Sequence, residues 1–312
     1  MNCVCTGCVD DGICYDENNN DDCVCPDCGS ATNAGAAYCA SNLGCNNDGS
    51  CDPYVEGCGC ADCDGIHPEC SGWAWQNPLP QGNALHGSHV VDAMTTWVVG
   101  TTGTILKTAD GGTTWTTQQS NTSSLLYDVS GSGTMAAWAV GSYGTIVHTT
   151  DGGATWATQS SGTNQPLTHV HFVDTMTGWA VGNNGVIVNT IDGGASWTTQ
   201  TSGATAHLRG IHFIDAMTGW AVGFKVGMTA TIVHTTDGGA TWAPQTNGAD
   251  IDKNLDAVHF SSATKGWAVG PSGTILHTAD AGATWSPQDA TTTVGITSVY
   301  FANDTTGWFA GG

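Results

Sequence analysis

A chain of 312 residues with 40% apolar content can bury a core, which excludes a disordered polymer; 27 acidic residues set a formal charge of −22. Lys107, Arg209, Lys225, Lys253 and Lys265 are its entire cationic complement, too sparse to neutralise a phosphate backbone, which excludes nucleic acid as a partner. No apolar run is long enough to cross a bilayer as a helix, so no membrane span is expected.

All 14 cysteines lie between Cys3 and Cys70, which divides the chain into an acidic, cysteine-rich region (1–72) and a cysteine-free region (73–312). Cys8-x5-Cys14-x8-Cys23-x-Cys25-x2-Cys28 recurs as Cys45-x5-Cys51-x6-Cys58-x-Cys60-x2-Cys63. Cys39 and Cys70 complete the two copies, and Cys3 and Cys5 read as the tail of an earlier one. An even count among acidic, Gly- and Asn-rich loops with almost no core formers predicts disulfides, with connectivity left open. The alternative is thiolate metal sites at the three Cys-x-x-Cys steps (5–8, 25–28, 60–63); none is followed by His, which excludes c-type haem.

Such cysteine density points to an oxidising compartment, although residues 1–30 carry no basic and apolar leader. The expectation is a processed or partial chain of a secreted or cell-surface protein. Residues 1–72 hold 13 acids and no Lys or Arg, which attracts cations. Asp16, Asp21, Asp22, Asp48 and Asp52 offer oxygens suited to calcium, without EF-hand spacing. Calcium is the one cofactor this composition suggests.

From residue 73 the chain is a repeat. Thr108-Ala-Asp-Gly-Gly-Thr-Thr-Trp115 returns at 149–156, 190–197, 235–242 and 278–285, its tryptophans 41, 41, 45 and 43 residues apart. A period of about 40 to 50 residues with strand-like content reads as four-stranded propeller blades. Each repeat predicts an apolar strand, a Gly-Trp-Ala-Val-Gly strand, a Gly-Thr-Ile-Val-His strand, an Asp-Gly-Gly turn and a Trp-x-x-Gln strand. Asp110, Asp151, Asp192, Asp237 and Asp280 are expected to accept amide hydrogen bonds within their turns, and the glycines to take positive φ. Trp115, Trp156, Trp197, Trp242 and Trp285 then cover the hairpins. Asp280-Ala281-Gly282 lacks the first glycine, which predicts a slightly different turn.

Trp73-Ala-Trp75-Gln76 matches the outer strand of a repeat, while Ile296 to Phe301 and Gly307 to Gly311 match two inner ones. The fold class expected is all-β: a six-bladed β-propeller, with seven blades as the alternative, behind an irregular disulfide-rich region. Both ends would build the closing blade. Its third strand, equivalent to 144–149, has no counterpart, so either a longer natural chain or a strand from a neighbouring copy completes it.

The octapeptide is the Asp-box, or BNR repeat. Together with Gly-Trp-Ala-Val-Gly it resembles the photosystem II stability and assembly factor family of plastids and cyanobacteria over residues 73–312. The resemblance implies a non-catalytic propeller that binds other proteins, and transfers no ligand-binding positions. The cysteine modules and the scarcity of basic residues depart from that family.

Asp-box sialidases grip a carboxylate with three arginines, and Arg209 stands alone. A glycosidase needs paired carboxylates; Asp92, Asp174, Asp215 and Asp304 read instead as one recurrent turn position. His89, His171, His212 and His259 recur on the first strand, and His148, His234 and His277 on the third. Rings of imidazole could bind a transition metal or respond to pH, or duplication has copied a well-packed residue. Asn121-Thr-Ser and Asn303-Asp-Thr are glycosylation sequons. The function expected is a non-enzymatic secreted or cell-surface propeller for protein interaction, adhesion or assembly. The alternatives are a subunit of an extracellular filament whose partners are copies of itself, and a glycan-binding or glycan-hydrolysing propeller.

Overall fold

A computed structural model describes residues 82–245 and 252–312. The cysteine modules, the calcium candidates, the boundary at 72 and the expected outer strand at Trp73–Gln76 lie outside these residues.

Among the described residues, the period of the sequence appears as five four-stranded antiparallel sheets and a final pair. The first sheet holds β1 (Leu85–Val90), β2 (Thr96–Gly100), β3 (Ile105–Thr108) and β4 (Thr116–Thr117). The second holds β5 (Leu126–Ser132), β6 (Ala136–Gly141), β7 (Thr145–Thr149) and β8 (Ala157–Ser160). The third holds β9 (Leu167–Phe172), β10 (Gly178–Gly182), β11 (Ile187–Thr190) and β12 (Thr198–Gln200). The fourth holds β13 (Leu208–Phe213), β14 (Gly219–Val226), β15 (Thr229–Thr235) and β16 (Ala243–Pro244). The fifth holds β17 (Ala257–Phe260), β18 (Gly266–Gly270), β19 (Thr274–Thr278) and β20 (Ser286–Gln288). The final pair is β21 (Ile296–Asn303) and β22 (Thr306–Gly311). Each sheet lies against the next through its first strand, β1 on β5, β5 on β9, and so on to β17 on β21. First strands that meet while fourth strands diverge are the arrangement of propeller blades around an axis.

The core lies between sheets and is built from repeated aromatic parts. Trp138 of β6 stacks on Phe172 of β9, Trp179 on Phe213, Trp220 on Phe260 and Trp267 on Phe301, with ring centroids 3.4 to 3.6 Å apart. Each of the first three phenyl rings then meets the Asp-box tryptophan of its own sheet edge-on, Trp197, Trp242 and Trp285 at 5.8 to 5.9 Å. The face-to-face stacks bury large apolar areas, and the edge-on contacts suit the aromatic quadrupole.

A polar clamp accompanies the rings. Gln159 Nε2 donates to Gly193 O (3.1 Å), and its Oε1 accepts from Trp197 Nε1 (3.1 Å). Gln200 links Gly238 O and Trp242 in the same way, and Gln245 links Ala281 O and Trp285. The turn carbonyls Gly193 O, Gly238 O and Ala281 O also accept the indoles of Trp138, Trp179 and Trp220.

The junction between the first two sheets is built differently. Gly131 stands where the third, fourth and fifth sheets and the final pair place phenylalanine, and Trp97 meets Trp156 directly, edge-on at 5.5 Å. Lys107 lies over the Trp97 ring and donates to Gly152 O (2.9 Å), the turn carbonyl that indole and glutamine take elsewhere. The indole nitrogens of Trp97 and Trp156 are buried without a hydrogen bond.

Candidate functional site

The Asp-box turns are closed units. Thr149 Oγ1 donates to Asp151 Oδ1 (2.8 Å) and accepts from Gly153 N (2.9 Å). Asp151 accepts from Thr155 N (2.9 Å) and Thr155 Oγ1 (2.6 Å). Asp110, Asp192, Asp237 and Asp280 repeat this set with Thr114, Ser196, Thr241 and Thr284. The Thr155 hydroxyl and amide hold the Asp151 carboxyl down at about 2, and equivalent donors bring Asp192 and Asp237 to about 2. Asp110 and Asp280 are lowered by the same bonds. Of the tryptophans that follow, Trp156, Trp197, Trp242 and Trp285 are buried, and Trp115 is half-buried.

The turn at Asp280 does not differ as expected. Ala281 takes φ 59°, in the left-handed region that Gly238 occupies at 70°, and every turn bond is kept. Five side-chain bonds over-determine the turn, so alanine is forced into a conformation that glycine adopts freely.

Three of the first-strand histidines, His171, His212 and His259, bridge neighbouring blades. His171 Nε2 hydrogen-bonds Phe213 O (3.0 Å), His212 bonds to the Phe260 backbone, and His259 Nδ1 accepts from Phe301 N (3.3 Å). Neighbouring positions use other side chains: Asp128 accepts from Val170 N (2.9 Å), Ser130 from Phe172 N (3.1 Å), and Thr168 donates to Leu208 O (2.8 Å). His171 lies 4.8 Å from His212, and His212 lies 4.5 Å from His259, between ring centroids. Burial pushes His171 down to about 3, His212 well below its usual range and His259 to about 4. The imidazoles are therefore neutral straps at physiological pH. On the third strand His148 and His234 stack against Trp138 and Trp220, and burial lowers both. No group of three metal-ligating side chains occurs among the described residues.

The hairpin tips between first and second strands hold the recurrent acids. Asp92 Oδ1 accepts from Met94 N and Thr95 N, Asp174 from Met176 N and Thr177 N, and Asp215 from Met217 N and Thr218 N, all at 2.7 to 2.8 Å. Asp304 is not the fourth member. Asn303 caps that turn, and Asp304 reaches across to Ser261 Oγ (2.7 Å) and Lys265 Nζ (3.1 Å), because it sits one residue closer to its tryptophan than the others do.

One feature of these tips was not singled out from the sequence. Met94, Met135, Met176 and Met217 are 49 to 55% exposed, one on each of four successive sheets. Their carbonyls accept from Gly111 N, Gly152 N, Gly193 N and Gly238 N at 2.8 to 2.9 Å, which ties each tip to the Asp-box turn of its own sheet. Methionines and Asp-box turns therefore share one face. The 41-residue spacing of the methionines was the available signal.

Arg209 faces Asp256 at 3.6 Å, and its guanidinium lies over Phe224. No helix among the described residues is long and apolar enough to cross a membrane.

No curated protein matches the chain in sequence. Among solved structures, a YCF48 protein bound to a D1 peptide is 18% identical, TM-score 0.50, over 75% of this chain and 92% of that one. YCF48 from Cyanidioschyzon merolae has the same identity and score, over 75% and 94%. The GH74 enzyme of Niastella koreensis is 16% identical, TM-score 0.53, over 65% of this chain and 38% of its own, so the chain spans well under half of that hydrolase. These likenesses show the propeller fold. The family model described as photosynthesis system II assembly factor YCF48 matches residues 69–162, 114–200, 154–243 and 205–293, and the chain belongs to that family.

Proposed function

We propose that the chain is a non-enzymatic propeller that recognises other proteins, as an assembly or adhesion module presenting rigid hairpin tips. The observation that carries this reading is where the recurrent chemistry points. The Asp-box carboxylates bond within their own turns and the first-strand imidazoles bond to the next sheet, while large apolar side chains stand in solvent at the tips. Groups so tied hold loops in shape, and exposed apolar tips on a rigid scaffold are what a partner reads. The family to which the chain belongs supports a protein partner, as does the D1 peptide held by one YCF48 structure. Secretion or surface display belongs to the proposal on the strength of the 14 cysteines. Calcium, the one cofactor proposed, is assigned to the acids of region 1–72.

Cross-linking in native extract, followed by mass spectrometry, tests the reading. Defined adducts to other proteins through the propeller are the expected result. Turnover on a panel of glucans, lost when a single carboxylate is changed, would overturn it. A second reading, a filament of copies of this chain, is favoured by one observation: β22 pairs only with β21 among the described residues, and its own Trp308 is exposed. Sedimentation as a monomer at every concentration would remove that reading.

A further inference from the structure

The face that carries the Asp-box turns combines two properties that are rarely neighbours. Four methionines stand half in solvent, each at the same hairpin tip of four consecutive blades, so the apolar exposure on this face recurs instead of being a single side chain. Methionine is unbranched and polarizable, and adapts to irregular apolar partners. Between the methionines lie carboxylates whose positions are fixed by backbone amides, Asp92, Asp174 and Asp215, with the Asp-box carboxylates beside them. The cation within this arc, Lys107, sits at the Met135 tip, where Gly152 O, Thr134 O and the Trp97 ring already engage its ammonium. The opposite ends of the sheets are unlike this: the β14–β15 hairpin, for example, carries Val226 and Met228 beside Lys225.

From this placement we infer that the Met94–Met135–Met176–Met217 arc is a docking surface for a cationic, amphipathic segment of a partner protein. Its apolar side chains pack on the methionines while its lysines or arginines meet the flanking carboxylates. Charge complementarity selects the occupant. An uncharged apolar segment would leave a rim of fixed carboxylates beside it partly desolvated and unpaired, and an acidic one would be repelled. A purely cationic segment would gain nothing from the methionines. The inference rests on the protein-recognition reading and narrows it to one face and one partner chemistry.

The test uses the full chain and two synthetic probes of equal charge: a Leu/Lys peptide with helical amphipathic spacing, and a Ser/Lys peptide of the same length. Peroxide oxidation of methionine, followed peptide by peptide in the mass spectrometer, reports the site directly. The Leu/Lys probe is expected to slow sulfoxide formation at Met94, Met135, Met176 and Met217 and to leave Met228 unchanged. The quadruple Met→Gln variant should bind that probe about tenfold more weakly, while Met228→Gln binds as the parent does. Asp174→Asn with Asp215→Asn, which keeps a cap oxygen and removes charge, should weaken binding further at low salt. Equal binding of the two probes, or protection of Met228 as strongly as the arc, overturns the inference. If that happens while native cross-links to other proteins persist, recognition stands and its surface lies elsewhere. If both fail, the protein-recognition reading falls as well.

Discussion

The ring of Phe172 lies across the α-carbon of its cross-strand partner Gly178, so a β-carbon added to that glycine would stand 2.6 Å from the ring carbons. Phe213 covers Gly219, Phe260 covers Gly266 and Phe301 covers Gly307 with the same closeness. In the second sheet the pair is Gly131 and Ala137. The opening glycine of Gly-Trp-Ala-Val-Gly is thus the seat of the phenyl ring that the preceding sheet's tryptophan stacks upon. In the second sheet, where the ring is absent, the seat is filled by alanine, and in the first sheet Val90 faces Thr96.

Gly178→Ala should therefore destabilise the protein by about 1–3 kcal/mol, the usual cost of overpacking a close-packed interior. Ala137→Gly should cost about 1–2 kcal/mol, from added backbone freedom and the loss of one fully buried methyl, without a clash. The double variant Phe172→Gly/Gly178→Ala copies the second-sheet pair, and its cost should fall short of the sum of its parts. Urea unfolding of the four proteins measures the coupling. Additivity within error would show that ring and glycine do not constrain one another.

Gln159 is the next target. Changing it to Leu leaves the Trp197 indole N–H and a share of Gly193 O without their partner, a penalty of about 1–3 kcal/mol for a buried donor. Gln118→Leu should cost much less, since Gln118 bonds to Thr116 two residues before it and Trp156 has no clamp to lose. Equal shifts in the unfolding midpoint would contradict the clamp.

The strap histidines set an acid limb. His171 is held neutral down to about 3, chiefly by burial, with His169, His89 and His259 opposing its charge and the Phe213 carbonyl favouring it. Between that value and the ordinary 6.5 the unfolded chain binds more protons than the folded one, so stability rises with pH across the window. Acidification from about 6.5 towards 3 should lower the unfolding temperature, and His171→Gln should flatten this slope. The Asp-box carboxylates contribute only later: their lowered values keep their stabilisation intact above about 3.8, and it is lost as the pH falls towards 2. Scanning calorimetry from pH 7 to 2 on parent and variant checks both steps. Parallel curves would remove His171 from the account.

Ala281→Gly should stabilise the protein by about 0.5–1 kcal/mol, because the turn already has the left-handed shape that glycine adopts without strain. The gain is reduced by the loss of a methyl group that packs against the core of the fourth and fifth sheets. An unchanged or lower midpoint would mean that this packing outweighs the backbone term.

The repeat unit was legible in the sequence because its signals are local. The Asp-Gly-Gly turn, the alternating strands and the terminal tryptophan each act within a few residues, and β21 and β22 fall within a residue or two of the strands expected at Ile296 to Phe301 and Gly307 to Gly311. What joins one repeat to the next was not legible. The Gln159–Trp197 bond spans 38 residues, and its logic exists only when two sheets are placed side by side. Asp304 departs from its expected role for a related reason: the turn has the same length as the others, but the capping position five residues before the tryptophan is occupied by Asn303, and Asp304 lies one residue later. The histidines were noticed by their recurrence, but whether they faced solvent or a neighbouring strand depended on partners such as Phe213 O.

The odd junction at Lys107 has a consequence for how the molecule comes apart. In a row of like modules, stability is a sum of intrinsic terms and nearest-neighbour couplings, and cooperativity breaks at the weakest coupling. The link between the first two sheets has exchanged a phenylalanine, two indole bonds and a glutamine clamp for one lysine. Amide protons of β2 and β3 should therefore exchange with solvent before those of β10 and β11, so that the first blade behaves as a foldon of its own, able to let go while the blades behind it stay assembled.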